Sequence, residues 1–543
     1  MEVKEKDNIL TTNQSWDNIF EDKELVQMLL SKVFPAYLQK CRWFGGKSKK
    51  IKHFKIQFLL TFPVNKSKTY LVILEAAYIA AYSESYFLPV CFSEDEKVDK
   101  KAIITPIELK GKSGILMDAI YEESFRNALF EHILKQKDVD IKEGILHFNR
   151  GSILDGFDKN QPLSSTVLKV DQSNTSIIYN DQYFFKIYRN LFRETNPDYE
   201  ITKFLTENAG FKNSPRYAGS ITWKREKLAD VSLGLMQEKV ENEGDAWHFV
   251  NDKIKKYFEK VVEQQIPLKS IEDLDAYEPH NIRDLEPETV DLIGYDMLKS
   301  IEKLGQRTAE MHIAISSDRS SYTFLPVLYN QDYSVWLKNR LIYQLDRRLD
   351  LLEKTLENLQ GLSLEFAKKF LESKEEIINI IVNFDEAKLI SKRIRIHGDY
   401  HLGQVLKKGD DFIILDFEGE PESTIRDRKV KQPPVKDVAG MIRSFHYAVY
   451  NNIFDQSQTS SLSQSDLFEI GNKYYRIITS VYLNAYTKTA MSSSLDIGYQ
   501  SEINYVLKYH LLEKAIYELG YELNSRPNWA IIPLKGIMDL LEG

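Results

Sequence analysis

From Phe54 to Cys91 the chain alternates short apolar runs, Phe58–Leu60, Tyr70–Leu74 and Ser85–Val90, with turn residues, and this texture predicts β-strands. The charged stretch from Ser93 to Lys101 predicts the edge of a small separate module. Three more strands are predicted at Val167–Val170, Ser176–Tyr179 and Gln182–Tyr188, with Asn180 and Asp181 turning the last two into a hairpin. Asn196 as cap and Pro197 at the first position then open a helix that Gly210 stops. After about Glu241 the period becomes helical, as in Tyr295–Ile315, Tyr333–Glu357, Leu364–Asn383 and Asp466–Thr489. The Ser/Gln-rich patch from Gln456 to Ser465 is expected to be an exposed loop between two helices. A strand-rich small lobe followed by a helical large lobe is the architecture this pattern predicts.

Composition narrows the picture. At 543 residues the chain exceeds what one hydrophobic core serves, and 43% hydrophobic with 12% aromatic residues is ample for packing. A net charge of −8 argues against a broad nucleic-acid surface, which needs clustered Lys and Arg. Cys41 and Cys91 are too few for a disulfide framework and suit a reducing cytoplasm. The start, Met1-Glu2-Val3-Lys4-Glu5, has no apolar leader, and the longest apolar run, Tyr70 to Tyr82, is broken by Glu75. A cytoplasmic protein without a membrane span is expected.

One helix-poor stretch in the second half carries candidate chemistry. Ile396-His397-Gly398-Asp399-Tyr400-His401-Leu402-Gly403-Gln404, followed by Ile413-Ile414-Leu415-Asp416-Phe417-Glu418, orders a carboxylate, an amide and a second carboxylate as phosphotransferases do. Asp399 is the expected catalytic residue, orienting an acceptor hydroxyl and taking its proton. Gln404 and Asp416 are expected to hold Mg²⁺, with Glu418 as a further ligand; Gln404 stands where most such sequences have Asn. His397 and His401 are read as structural supports of the loop rather than zinc ligands. Upstream, Lys186 on the third strand and Glu200 on the following helix form the expected ion pair that aims a lysine at nucleotide phosphates. The Gly-free loop Gln172–Ser176 offers Ser173, Asn174 and Thr175 to phosphates, and backbone groups near Glu238 and Val240 are expected to meet adenine. Near the C-terminus, Lys514, Tyr517, Glu518 and Tyr521 recur at helical spacing on one face suited to a sugar.

The stretches HGDYHLGQVL (397–406), DFEGEP (416–421), KDVAGMIRSFHYA (436–448), QSNTS (172–176), LGQRTAEMH (304–312), HLLEKAIYELGYELNSRP (510–527) and RWFGGK (42–47) together resemble bacterial maltokinases. The resemblance implies an α+β, bilobal, protein-kinase-like (aminoglycoside phosphotransferase-like) fold with an N-terminal β-rich cap domain. Residues 1–100 would be the cap, 101–240 an intermediate region and β-rich N-lobe, and 241–543 a helical C-lobe. It further implies transfer of the γ-phosphoryl of ATP, with Mg²⁺, to the anomeric hydroxyl of maltose, feeding α-glucan synthesis from trehalose, with association to trehalose synthase as a partner. Lys514, Tyr517 and Tyr521 become expected sugar contacts on the same ground. A glucosamine or other sugar kinase of the same fold, with Glu518 available to an amino sugar's ammonium, is the alternative, and a non-catalytic partner of trehalose synthase a more distant one. Lys253–Ile282 and Arg426–Pro434 match nothing in the resemblance.

Overall fold

The computed structural model describes residues 9–542 apart from 66, 96, 159, 169–172 and 457–461. The chain divides into two compact units. The first holds residues up to Glu207 together with Pro215–Val240, and the second holds Asn208–Ser214 and everything from Glu241.

The first unit contains two seven-stranded sheets. β1 (Leu10–Thr12), β2 (Ile51–Val64), β3 (Ser67–Tyr78), β4 (Glu84–Ser93), β5 (Ile103–Leu109) and β6 (Lys112–Asp118) run in the order β1-β5-β6-β4-β3-β2. Helices α1 (Lys23–Met28) and α2 (Phe34–Lys40) cover one face, and α3 (Glu123–Lys135) contributes to the core on the other. β7 (Val139–Ile141), β8 (Gly144–Arg150), β9 (Ser165–Val167), β10 (Asn174–Tyr179), β11 (Tyr183–Tyr188), β13 (Tyr217–Lys224) and β14 (Val231–Glu238) form the second sheet, in the order β7-β8-β13-β14-β11-β10-β9. Between them in sequence, β12 (Asn190–Leu191) pairs with β4 of the first sheet, and α4 (Pro197–Glu207) follows.

β3 explains the long apolar run of the sequence. Tyr70, Val72, Leu74 and Ala76 enter the core beneath α1 and α2, whereas Leu71 and Ile73 enter the core shared with the second sheet. A strand buried on both faces is apolar at successive positions rather than at alternate ones. The expected boundary at Ser93–Lys101 is therefore corrected. Ser93 closes β4 and Ile103 opens β5 of the same sheet, so the charged residues belong to a connection within one domain. Nor is the first sheet a separate module, because it shares a core with the second.

The hairpin at Asn180-Asp181 forms, with both residues at positive φ (48° and 56°) and Gln182 N–H donating to Tyr179 O at 2.9 Å. Asn196 Oδ1 accepts from the N–H of Asp198 at the start of α4, and Gly210 lies past its end at φ +63°. The predicted strand at Val167–Val170 is observed as Ser165–Val167; Lys169, Val170 and Gln172 lie outside the described residues, as does much of Gln456–Ser465.

The second unit is built from α5 (Ala246–Glu263), α6 (Pro287–Ile293), α7 (Tyr295–Ile315), α8 (Gln331–Thr355), α9 (Gly361–Glu372), α10 (Lys374–Val382), α11 (Ile425–Arg428), α12 (Val435–Gln456), α13 (Gln464–Met491), α14 (Gln500–Ser525) and α15 (Ile531–Glu542). α7 lies along α13, α12 packs on α13 and α14, and α14 packs on α8 and α15. Two small antiparallel pairs interrupt the helices: β15 (Val327–Leu328) with β16 (Lys392–Arg393), and β17 (Val405–Lys408) with β18 (Asp411–Ile414). Among the described residues no helix is long and apolar enough to cross a membrane.

Candidate active site

The twelve-residue interval between Gln404 and Asp416 is a hairpin. β17 and β18 pair Val405 with Ile414, and Leu415 N–H continues the ladder by donating to Gln404 O at 2.9 Å. The residues just outside the last pair are thereby brought together, and Gln404 Nε2 lies 3.1 Å from Asp416 Oδ2. Asp416 leaves the strand in the left-handed region (φ +64°), which Asp tolerates better than most side chains. Turning the amide over would present Gln404 Oε1 beside Asp416. Two hard oxygen donors at this spacing fit Mg²⁺.

Asp399 sits in the loop before this hairpin. Gly398 precedes it at φ +85°, where a side chain would be strained. Lys514 Nζ of α14 donates to Asp399 Oδ1 at 3.0 Å, while Oδ2 has no partner among the described residues. Burial pushes the Asp399 carboxyl up, but the Lys514 charge and then His401 more than offset it, so its pKa lies below the usual carboxylate value. The Lys514 ammonium is in turn held above its ordinary value: burial opposes its charge, and Asp399, Glu420 and Glu518 outweigh that.

The loop is clamped from beneath by Asp437 in the first turn of α12. Its carboxylate accepts from the N–H of His397 (2.8 Å) and Gly398 (2.9 Å), and lies 3.0 Å from His312 Nε2 of α7. Although burial raises it, the bond and charge of His312 hold the Asp437 carboxyl below its usual value. Tyr400 OH meets Thr308 at 3.0 Å, and Tyr482 OH also reaches Thr308. A Cβ on Gly440 would come within 2.6 Å of Tyr400 O, so α12 approaches the loop where only glycine fits. His397 donates from Nε2 to Leu415 O (2.7 Å) and accepts the Asp399 N–H at Nδ1 (3.3 Å), linking the loop to the strand that ends in Asp416. His401 Nδ1 caps the turn into β17 by accepting from Gly403 N–H. The Arg426–Pro434 segment acts here as well. Gln432 and Ile394 exchange backbone hydrogen bonds, and Arg428 donates to Ser423 O and Pro421 O in the turn after Glu418. Sequence reasoning missed Asp437; the signal available was an acid opening a helix directly after Pro433-Pro434.

The face of α14 differs from expectation at two positions. Lys514 is on Asp399 rather than open to a sugar, and Glu518 is bound by Arg443 Nε (2.9 Å) and Nη2 (2.7 Å). A carboxylate gripped by a guanidinium has little left for an ammonium. Tyr517 is half-buried with Lys514 Nζ 5.0 Å from its ring centroid, and Tyr521 is exposed.

In the first unit, Lys186 of β11 pairs with Asp198 at 2.8 Å, whereas the expectation was Glu200. The reason is helical geometry. Asp198, Ile201, Thr202 and Leu205 share the buried face of α4, and two residues on from Asp198 the helix has turned about 200°. Glu200 accepts from the Thr195 hydroxyl. Thr175 is also corrected: it lies in β10, fully buried, with its hydroxyl accepting from Arg189 Nε at 2.8 Å, so it cannot face a phosphate. Asn174 opens the same strand and Ser173 precedes it, exposed. The Glu238 N–H is donated to Arg216 O, and its carboxylate takes Arg216 Nε and Nη2, so the N–H is not free for a base. Val240 is the last residue of the first unit.

Residues 37–121 match the maltokinase N-terminal cap domain family. A glucosamine kinase of Mycolicibacterium smegmatis (strain ATCC 700084 / mc(2)155) is 22% identical over 377 residues, 69% of this chain and 79% of that protein. One of Streptacidiphilus jiangxiensis is 25% identical over 148 residues, 27% of this chain and 32% of that protein. The solved structure of a glucosamine kinase in complex with glucosamine, ADP and inorganic phosphate superposes with a TM-score of 0.59 at 15% identity, covering 97% of this chain and 100% of that one. The fold is therefore that of this α+β glucosamine kinase structure, with a maltokinase-type cap over residues 37–121. The match extends the cap past residue 100, in keeping with the single sheet that runs on to Asp118.

Proposed function

We propose that this chain, which joins a maltokinase-type cap to a kinase-like fold, is an ATP-dependent sugar kinase, and that the acceptor is maltose at its anomeric hydroxyl. The observation that carries the reading is Asp399: ionised, fixed through one oxygen by Lys514, and with its other oxygen unclaimed. Such a carboxylate orients a hydroxyl and accepts its proton as the oxygen bonds to the γ-phosphorus and ADP leaves. Its lowered basicity suits late proton transfer, when the hydroxyl has become acidic. Gln404 and Asp416, with Glu418, would hold Mg²⁺, which neutralises charge on the transferring phosphoryl group. Lys186, braced by Asp198, supplies the nucleotide-directed cation of the first unit. Most of the rate enhancement then comes from positioning and electrostatics.

A neutral acceptor is favoured by the charge balance along α14. Asp399, Glu513, Glu518 and Glu522 are paired with Lys514, Lys436, Arg443 and Arg526. A new ammonium would have to compete with an existing cation for each of them. The second reading, glucosamine, is favoured by the name of the relatives that align with most of the chain. ATP-coupled turnover of maltose, glucosamine, glucose and trehalose, measured side by side, tests both. Maltose turning over with the highest kcat/KM is the expected result. Glucosamine alone turning over would overturn the acceptor, and no turnover with any sugar would overturn the kinase.

A further inference from the structure

We infer that the cavity enclosed by α12 to α15 and the segment before Tyr277 is a second binding site, separate from the Asp399 centre, for a neutral oligosaccharide. It measures about 730 Å³, within the roughly 300–1,000 Å³ of small-molecule sites, and its walls include Tyr277, Arg443, His446, Asn472, Tyr475 and Asn504. Tyr277 comes from the stretch between α5 and α6 that matches nothing in the catalytic core. That stretch is built in. Lys473 Nζ of α13 donates to Leu268 O (2.7 Å) and Ile271 O (3.0 Å), and Arg476 binds Asp273 at 2.6 Å.

The strongest pointer is His446, which is 2% exposed. Its Nδ1 accepts from Arg443 Nη1 at 2.9 Å, so its proton is on Nε2, which has no partner among the described residues. Burial, helped by Arg443, holds its pKa well below the usual histidine value, and the ring stays neutral. An N–H that opens onto the wall of a cavity is satisfied by a ligand oxygen or by water.

Ligand class follows from the remaining walls. Arg443 is spent on Glu518, Arg476 on Asp273 and Asp539 on Lys535. Lys508, Asp275 and Glu542 remain, one cation against two anions, both carboxylates exposed at the rim. These three charges nearly balance, so the walls concentrate no single sign of charge that would call for an ionic ligand. The rings of Tyr475 and His446 lie 5.1 Å apart beside Tyr277, and the amides of Asn472 and Asn504 offer donors and acceptors together. Aromatic faces for C–H surfaces and amides for hydroxyls are what a neutral sugar requires. The inference does not rest on the kinase reading, because α14 contributes Asn504, Leu507, Lys508 and Leu511 here, ahead of Lys514.

Calorimetric titration of the full chain with maltotetraose and cellotetraose tests it. Asn472→Leu removes an amide from the wall, Asn504→Trp fills the mouth, and Tyr517→Ala alters only the face beside Lys514. At least one tetrasaccharide should bind both wild type and Tyr517→Ala, with affinity at least about tenfold weaker in each cavity variant, as expected for losing one or two hydrogen bonds. If Asn472→Leu melts early, the rim variant Asn504→Trp decides. The inference is overturned if neither sugar binds, if binding survives in both cavity variants, if Tyr517→Ala abolishes it, or if inorganic phosphate binds here instead.

Discussion

Two cation–carboxylate pairs, one in each unit, look alike in distance and differ in what they leave over. Arg189 Nη2 meets Asp118 at 2.6 Å, and Lys514 meets Asp399 at 3.0 Å. Arg189 and Asp118 are wholly buried, and every arm of the guanidinium is used: Nε on Thr175, Nη1 on Phe87 O, and the plane over Trp43. Asp118 also accepts from Tyr37 and Ile120 N–H. The second pair keeps 16% and 20% of its side chains exposed and one carboxylate oxygen unclaimed. A saturated pair fixes structure, whereas a pair with spare capacity has something to offer a substrate.

The comparison can be broken by substitution, and the largest effect is expected at the open pair. Asp399→Asn should lower kcat for phosphoryl transfer by about 10²–10⁴-fold, a loss far beyond its effect on the melting temperature. A loss under tenfold in steady-state assays would remove Asp399 from the chemistry. At the closed pair, Arg189→Met should cost about 3–5 kcal/mol of stability, because an uncompensated carboxylate is left buried. Denaturant melts showing less than about 1 kcal/mol would mean that the pair is not the keystone its burial suggests.

Smaller effects sharpen the contrast. Asp198→Asn should raise the KM for ATP by about tenfold and Glu200→Gln by less than twofold, from the roughly 1.5–3 kcal/mol of a hydrogen bond to a charged group. Equal effects would mean that Asp198 is not the brace. The last prediction concerns pH. Lys514 holds the Asp399 pKa down, so the ionised form persists below the ordinary carboxylate range and kcat should stay level as pH falls toward it. Removing the cation in Lys514→Met leaves the burial penalty in place, so the acid limb of the profile should move to higher pH. The stability contribution has the same sign: present above the unfolded-state pKa and lost as pH falls through the lowered folded value.

What was legible in the sequence was what local geometry controls. The interval from Gln404 to Asp416 is set by a hairpin ladder, and the start of α4 by an Asn cap and a proline, so both can be read from spacing and residue type. The errors share a cause. Choosing Glu200 over Asp198 required knowing which face of α4 turns inward, and a short helix with acids at both positions leaves that open. Thr175 was misassigned because the strand begins earlier than its β-branched run suggests, turning the threonine toward Arg189. Lys514 sits on a face correctly grouped, but its partner lies 115 positions away, and no periodicity reports that.

β11 carries Lys186 and continues within two residues into β12, which is stitched to β4 of the cap sheet. Along one piece of backbone, the lysine paired with Asp198 and the cap are parts of a single hydrogen-bonded fabric. Amide exchange across β4, β6, β11 and β12 should then report one opening free energy rather than two. A shortened protein beginning after Tyr121 would lose Leu71, Ile73 and Phe87 and bare the residues of the shared core that they cover. The cap is thus less an accessory added to a kinase than a portion of the folding unit, and it is not a module that gene rearrangement can lift off intact.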